Sequence, residues 1–405
     1  MKTLLNKKKG TNFEDVQEMN QSLLLKLLKK NEICTRAELA KETGLTQASI
    51  TKIISHLINL GVVREVGMVE GLKGRRSIAL SLNSKLYKVI GIKLTRESFS
   101  IGLYDISGIE YKVHTEPILA MTNPTTILKR MKSIVSDFTK VEEDIVAIGI
   151  AIPGPFLKNN EKIALITQFP GWESINFRDE FHKEFNVPVF MEHDANAAAL
   201  SEWWFNNEKL ENNVMVYLLV NDGVGAGIIE DGHLFVGSQG IAGEIGHMTI
   251  DFNGRKCSCG NYGCLECYCS TFALLNDTIQ DLCNFEKSIL NQTDNITVSD
   301  IFKAMDQGDP LAIKMIEQIG AYLGYGIVNI VNVYNPDLIV ISGVMARGGE
   351  ILLSKILETI KPRLVSSLYE NVEIKLSEFT NDPILYGAAA IATDNFLKNP
   401  AIFLR

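Results

Sequence analysis

Twice along this 405-residue chain an apolar run stops at a short turn and then resumes, and that repetition restricts the fold more than any other feature. Val89–Leu94 is followed by Ser100–Asp105, and Val214–Val220 by Gly225–Ile229. Short aliphatic and β-branched runs bounded by turn residues read as buried strands. Further elements surround each pair. Ile145–Ile152 is a strand ending in Pro153-Gly154-Pro155, and Val187–Met191 is a strand feeding a helix over Ala195–Phe205. Helices are predicted around 311–334 and 350–366, with strand Leu338–Ser342 between them. Alternating strands and helices predict α/β layers, and a layout used twice predicts two similar lobes with a ligand cleft.

The first eighty residues follow another pattern. Leu23, Leu24, Leu27 and Leu28 recur at helical spacing. Thr35-Arg36-Ala37-Glu38 is a capping box, in which hydroxyl and carboxylate each satisfy an unpaired amide of the first turn, and Gly44 stops that helix. Thr46 caps a third helix with an apolar stripe of Ile50, Ile53, Ile54, Leu57 and Ile58, ended by Gly61. Val62–Glu65 and Ile78–Leu82 alternate like paired strands around the tip Gly71–Arg76. Helix, glycine turn, helix, hairpin and cationic tip together form a winged helix-turn-helix. The outward face of the third helix, Gln47, Ala48, Ser49, Thr51 and Lys52, is placed for a major groove, and Lys73, Arg75 and Arg76 for a minor groove. Turn lysines and arginines are commonly just solvated; the ordered combination is what favours DNA. The expected architecture is residues 1–84 as this head and 85–405 as an α/β, actin-like domain of the sugar-kinase/Hsp70 type. Its first lobe spans about 85–200 plus the C-terminal helix, and its second about 201–383.

Charge agrees with that division. The net charge is -8, yet residues 1–80 carry 14 Lys and Arg against 8 Asp and Glu, and the other 325 carry 26 against 40. A basic head on an acidic body points to an anionic partner for the head alone, namely operator DNA. No apolar run approaches the roughly 20 residues that span a bilayer, and lysines interrupt the early leucines, so no membrane role and a cytoplasmic location are expected. Seven cysteines, five of them within Cys257–Cys269, argue against a disulfide framework in that compartment and for metal.

The cysteine-rich segment supplies His247, Cys257, Cys259 and Cys264. One imidazole and three thiolates make the closed tetrahedral set of a structural Zn2+ site. Cys267 and Cys269 remain over, as small buried hydrophobes or as replacements for one of the four.

The motifs Ile152-Pro-Gly154, Glu192-His-Asp194-Ala-Asn196, Gly223-Val-Gly225-Ala-Gly227, Gly243-Glu-Ile-Gly-His247 and Cys257-x-Cys259-Gly-x-x-Gly-Cys264-x-Glu266 stand in one order. In that order they resemble the ROK family of repressors, open reading frames and sugar kinases, from about Val89 to the C-terminus. The winged helix before them resembles the family's repressor branch. The resemblance implies a sugar ligand contacted by Gly154, Gln168, His193, Asp194, Glu244, His247 and Glu266, with His193 and Gln168 standing where kinases carry asparagine. Asp194 matches the base that accepts the sugar hydroxyl's proton in kinases. Apart from the family, Asp194 and Glu192 could simply cap the helix that follows. The phosphate loops depart from the kinase pattern. Lys93 stands at an Asp, side chains replace two glycines, Glu97 replaces a Thr, and Asn221-Asp222 replaces Gly-Thr. A carboxylate about 4 Å from a phosphate charge costs on the order of 4 kcal/mol at an effective dielectric near 20. Asp194 is therefore read as a degenerate base, with no catalytic residue expected. The expectation is a sugar-responsive, homo-oligomeric transcriptional regulator; the alternative is an ATP-dependent, glucokinase-like sugar kinase.

Overall fold

The structure, a computed structural model, describes residues 13–70, 76–119, 123–142, 144–154, 156–157, 162–163, 172, 175–205 and 214–404. Two compact units divide the chain. One takes the residues up to Ile152, Ile175–Glu192 and Ala388 onward; the other takes Pro153–Ser174 and His193–Gly387.

The first unit begins with α1 (Phe13–Asn31), β1 (Cys34–Thr35), α2 (Arg36–Thr43), α3 (Gln47–Asn59), β2 (Val63–Glu70) and β3 (Arg76–Leu82). The capping box on α2 is formed: the Glu38 amide donates to the Thr35 hydroxyl at 3.2 Å, and the Thr35 amide to the Glu38 carboxylate at 2.8 Å. Gly44 closes the helix with φ +69°, and the Thr46 hydroxyl caps α3 by accepting from the Ser49 amide. Ile50, Ile53, Ile54 and Leu57 are buried as the periodicity requires, with Ile58 half-buried. The α1 stripe differs from the one read from spacing. Leu24, Leu25 and Leu28 are buried, while Leu23 is exposed. At 100° per residue three successive leucines cannot share one face, and packing of α1 on α2 and β3 selects which are covered. The hairpin pairs Val63 with Leu82 through Glu70 with Arg76. β1 adds a third strand through Cys34 opposite Leu80 and Thr35 opposite Ala79; two residues are too short to show a strand period in sequence.

The same unit continues with β4 (Lys88–Leu94), β5 (Ser98–Asp105), β6 (Glu110–Pro117), α4 (Pro124–Thr139) and β7 (Ile145–Ile152). After the short pair β8 (Phe156–Leu157) and β9 (Lys162–Ile163) come α5 (Phe177–Phe185), β10 (Val189–His193) and α6 (Asp194–Phe205). The second unit carries β11 (Val214–Val220), β12 (Val224–Glu230), β13 (His233–Leu234), α7 (Glu266–Cys269), α8 (Thr271–Asp281), α9 (Val298–Asp306) and α10 (Pro310–Tyr334). It ends with β14 (Leu338–Ser342), α11 (Gly349–Ile360), α12 (Ser366–Asn371) and β15 (Glu373–Leu376). Helix α13 (Pro383–Lys398) starts in the second unit and finishes in the first, followed by α14 (Pro400–Phe403).

The two large sheets have one design. Their strand orders are β10-β7-β4-β5-β6 and β15-β14-β11-β12-β13. In each, the first hairpin is antiparallel and its leading strand pairs in parallel with the next: β4 with β7, β11 with β14. This duplicated mixed α/β arrangement is the actin-like fold of sugar kinases. In the second unit Val216, Leu218, Ile339 and Ile341 lie in one core with Leu323 and Ile327 of α10 and Ile356 of α11. Fully burying such a side chain stabilises by about 1.5–3 kcal/mol. α11 stops at Ile360, short of the 366 expected from periodicity. Lys361 keeps helical backbone, but Pro362 has no amide hydrogen with which to continue the helical ladder. No described helix is long and apolar enough to cross a membrane.

Candidate ligand and metal site

Two close backbone approaches build the site in the second unit. Gly243, at φ +96°, lies so near the Ala226 carbonyl that a methyl there would overlap it, which seats residues 243–247 against β12. The Ala226 amide donates to the Gly243 carbonyl at 3.0 Å. Gly263, at φ +67°, is equally close to the Asp251 carbonyl and folds the cysteine loop back. That loop is pinned by bridges between Thr249 and Cys264 and between Lys256 and Tyr262.

These turns bring His247, Cys257, Cys259 and Cys264 together, with one donor atom from each within 4.8 Å of all the others. His247 Nδ1 is 3.6 Å from Cys257 Sγ, and Cys259 Sγ is 3.8 Å from Cys264 Sγ. Burial pushes the Cys257 and Cys264 thiols up, so they hold their protons unless a cation displaces them, and the close set of one imidazole and three sulfurs fits a metal ion. The two remaining thiols of the segment lie outside the quartet. Cys269 is fully buried and reaches the Leu265 carbonyl, and Cys267 is 4.0 Å from the Lys256 carbonyl.

Carboxylates and imidazoles gather beside the quartet. Glu244 Oε1 is 3.7 Å from His193 Nδ1, and its Oε2 is 4.0 Å from His247 Nε2. Glu266, the first residue of α7, places Oε1 3.4 Å from His247 Nδ1 and 3.1 Å from Cys257 Sγ. His247 thus turns Nδ1 to the sulfurs and Nε2 to Glu244. His193 is buried at the end of β10, and Asp194 opens α6, where its carboxylate accepts the Ala195 amide at 2.7 Å. Gly154 follows β7 with φ +78°; Gln168, Lys73 and Arg75 lie outside the described residues. The pairing of His193 with Glu244 was not foreseen, because 51 positions of chain separate them and neither has a local signal of the other.

The turns that kinases would offer to phosphates are bonded internally. The Glu97 and Ser98 amides donate to the Thr95 hydroxyl at 3.3 and 3.0 Å. The Val344 amide donates to Asn221 Oδ1 at 2.7 Å, and the Thr271 hydroxyl to Asp222 Oδ1 at 2.6 Å. Sequence spacing could not show the Asn221 contact, which bridges 123 residues.

In the head, Gln47, Ala48, Thr51, Lys52 and Ser55 are exposed on α3, and Arg76 is exposed at the start of β3. Ser49 is half-buried and its hydroxyl pairs with that of Thr46 at 2.9 Å. The Thr51 hydroxyl donates to the Gln47 backbone carbonyl, so the Ser49 and Thr51 hydroxyls both have partners in α3 or its cap.

Comparisons with known proteins agree with this architecture. The ROK family pattern matches residues 89–395, and a winged helix-turn-helix DNA-binding pattern matches residues 20–64. The chain is 31% identical over 385 residues to the xylose repressor of Bacillus spizizenii, covering 94% of this chain and 97% of that protein. It is 30% identical over 373 residues to the DNA-binding transcriptional dual regulator NagC of Escherichia coli, covering 91% and 90%. A crystal structure of a ROK family transcriptional regulator, a homolog of the E. coli MLC protein, superposes with a TM-score of 0.83 at 28% identity, covering 96% of this chain and 99% of that one. A ROK family glucokinase from Streptomyces griseus shares the fold over 75% of this chain and 99% of its own, with a TM-score of 0.66 at 23% identity. The chain, a winged helix-turn-helix followed by the duplicated α/β domain, belongs to the ROK family.

Proposed function

We propose that the protein is a sequence-specific DNA-binding repressor of carbohydrate-metabolism genes that senses a sugar and does not phosphorylate it. One observation carries the reading: His193, Glu244 and Glu266 converge on His247 of a four-donor metal set, while polar groups of the phosphate-side turns are engaged by the protein itself. Carboxylates and imidazole nitrogens grouped in this way accept hydrogen bonds from sugar hydroxyls, and Asp194 and Gly154 complete the set with Gln168. His247, Cys257, Cys259 and Cys264 would hold Zn2+, which would fix the His247 ring and so support the ligand site without taking part in a reaction. Two relatives are named a xylose repressor and an N-acetylglucosamine repressor, which supports a sugar effector here.

At the other end, Gln47, Ala48, Ser49, Thr51 and Lys52 address base edges and phosphates of operator DNA, with Lys73, Arg75 and Arg76 in the wing. Helix-turn-helix dimers read half-sites about 34–36 Å apart, so a homodimer or higher oligomer formed through the large domain would set their spacing.

The experiment combines metal analysis, a sugar panel and a kinase assay on the full chain. The metal analysis should give about one zinc per chain. D-xylose, D-glucose and N-acetylglucosamine are scanned by thermal shift. They are then titrated against a duplex selected from a random pool, with Mg-ATP turnover measured alongside. A sugar that stabilises the protein and changes duplex affinity, without ATP consumption, is the expected result. Robust sugar phosphorylation abolished by Asp194→Asn would establish the kinase instead.

A further inference from the structure

The recognition helix ends against the body of its own unit. Leu60 is the C-cap of α3, and its carbonyl accepts a hydrogen bond from the Tyr87 hydroxyl at 2.5 Å. The Tyr87 ring centroid lies 5.2 Å from that of Phe396 in α13, at 52°. Phe396 meets Phe403 of α14 edge-on at 5.5 Å and 84°. Phe403 in turn lies 6.0 Å from Phe190 of β10. Four rings therefore connect β10 to the last turn of α3. Phe190 stands three residues before His193 and four before Asp194, on the strand that delivers both to the ligand site.

The same C-terminal segment also grips α1. Asp394 accepts ion pairs from Lys26 at 3.7 Å and Lys398 at 2.7 Å, and the Asn399 amide donates to the Glu18 carboxylate. On the two helices, Gln21 Nε2 and Thr393 Oγ1 are buried with no hydrogen-bond partner among the described residues. Buried polar groups left unpaired favour any rearrangement that lets them pair, so α1 and α13 are joined by contacts that are inexpensive to exchange. Phe396 is fully buried and Tyr87 nearly so, and closely packed rings move between discrete arrangements rather than yielding gradually.

We propose that Phe190, Phe403, Phe396 and Tyr87 form a mechanical link that carries displacement of β10 to the C-terminal end of the recognition helix, with Tyr87 as its joint. The link rests on the sugar-sensor reading only for what displaces β10. A coupling network needs an element whose state both ends bias, and the segment Phe396–Phe403 is that element, touching β10 on one side and the head on the other. Tyr87 is a positioning residue, acting through the Leu60 carbonyl.

The test is amide hydrogen exchange on the full-length protein without DNA or sugar, followed by mass spectrometry. Phe403→Leu should speed exchange in residues 56–62 by about threefold or more while leaving α2 unchanged, since opening is local to the joint. In a Tyr87→Phe background the same change should have no further effect on 56–62. Phe190→Leu, at the far end of the link, should reproduce the pattern and serves if Phe403→Leu folds poorly. A second arm uses whichever of D-xylose, D-glucose and N-acetylglucosamine shifts duplex affinity in the wild type. Tyr87→Phe should reduce a shift of about fivefold or more to within about twofold, with the calorimetric sugar affinity unchanged. Unchanged exchange at 56–62 in both leucine variants, or an equal increment with and without the Tyr87 hydroxyl, overturns the link. If none of the three sugars binds the wild type, the sensor reading fails on its own account and the exchange arm still decides the link.

Discussion

The proposed role of Glu244 rests on two distances. Its carboxylate faces His193 at 3.7 Å and His247 at 4.0 Å, and with a side-chain exposure of 38% it is open enough to meet a ligand hydroxyl. It is not a donor in the metal quartet, so its loss leaves that set intact. Glu244→Ala should therefore abolish the sugar's effect on operator binding, an effect expected at about 5–150-fold, while changing sugar-free affinity by less than about twofold. Operator titrations with and without the stabilising sugar measure both numbers; a variant that still responds fully places the ligand elsewhere. His193 had a readable departure from the kinase asparagine, but not its partner. Proximity between residues 193 and 244 exists only once β10 and the 243–247 segment are brought to the same place.

Among the elements, α2 depends most on its ends. It has eight residues, too few to be helical alone, and the Thr35–Glu38 box satisfies two amides that would otherwise lack partners. Thr35→Ala should lower the stability of the head by about 1 kcal/mol in urea denaturation, and operator affinity should fall with it only near the unfolding transition. No change in the midpoint would mean that packing of Leu39, rather than the cap, holds α2 in place. Helix caps and stops were legible because they are local chemistry: Thr46 begins α3, Gly44 ends α2 with a left-handed backbone, and Pro362 explains why α11 ends early. The edge strands β1, β6 and β15 were not legible. β1 is two residues long, and β6 is largely exposed and shows no buried face.

For the whole molecule, the attachment of the head has a pH signature. Burial lowers the Lys29 ammonium of α1 from the ordinary lysine range to about 7, against an opposing attraction from Asp105 at the end of β5. Unfolded, the same lysine stays protonated to about 10.4, so between pH 7 and 10 the unfolded chain binds more protons than the folded one. Stability therefore rises with pH through that interval, by up to about 1.4 kcal/mol per pH unit from this group. Below pH 7 both states are protonated and the penalty of burying the charge is constant. Urea midpoints at pH 7, 8 and 9 should climb in the wild type and climb less in Lys29→Met; parallel curves for the two would remove Lys29 as the cause.

The amino-acid order by itself determined the elements whose causes are local. These are the capped helices of the head, the twice-used strand–turn–strand, the buried strands Ile145–Ile152 and Leu338–Ser342, and the cysteine spacing that supplies a candidate metal-donor set. Short-range hydrogen bonding and burial periodicity are written in consecutive residues, so spacing reveals them. Only the tertiary structure decided which groups meet. It set Glu244 between two histidines, closed the Asn221 turn with the Val344 amide, chose Leu25 over Leu23 for the core, and lined up four aromatic rings in tilted and edge-on contacts between β10 and the end of α3. Those contacts join residues from 123 to more than 300 positions apart in two cases, and nothing near either partner encodes the other. Their geometry comes from the packing of whole sheets and helices, a property of the assembled core that no single stretch of sequence carries.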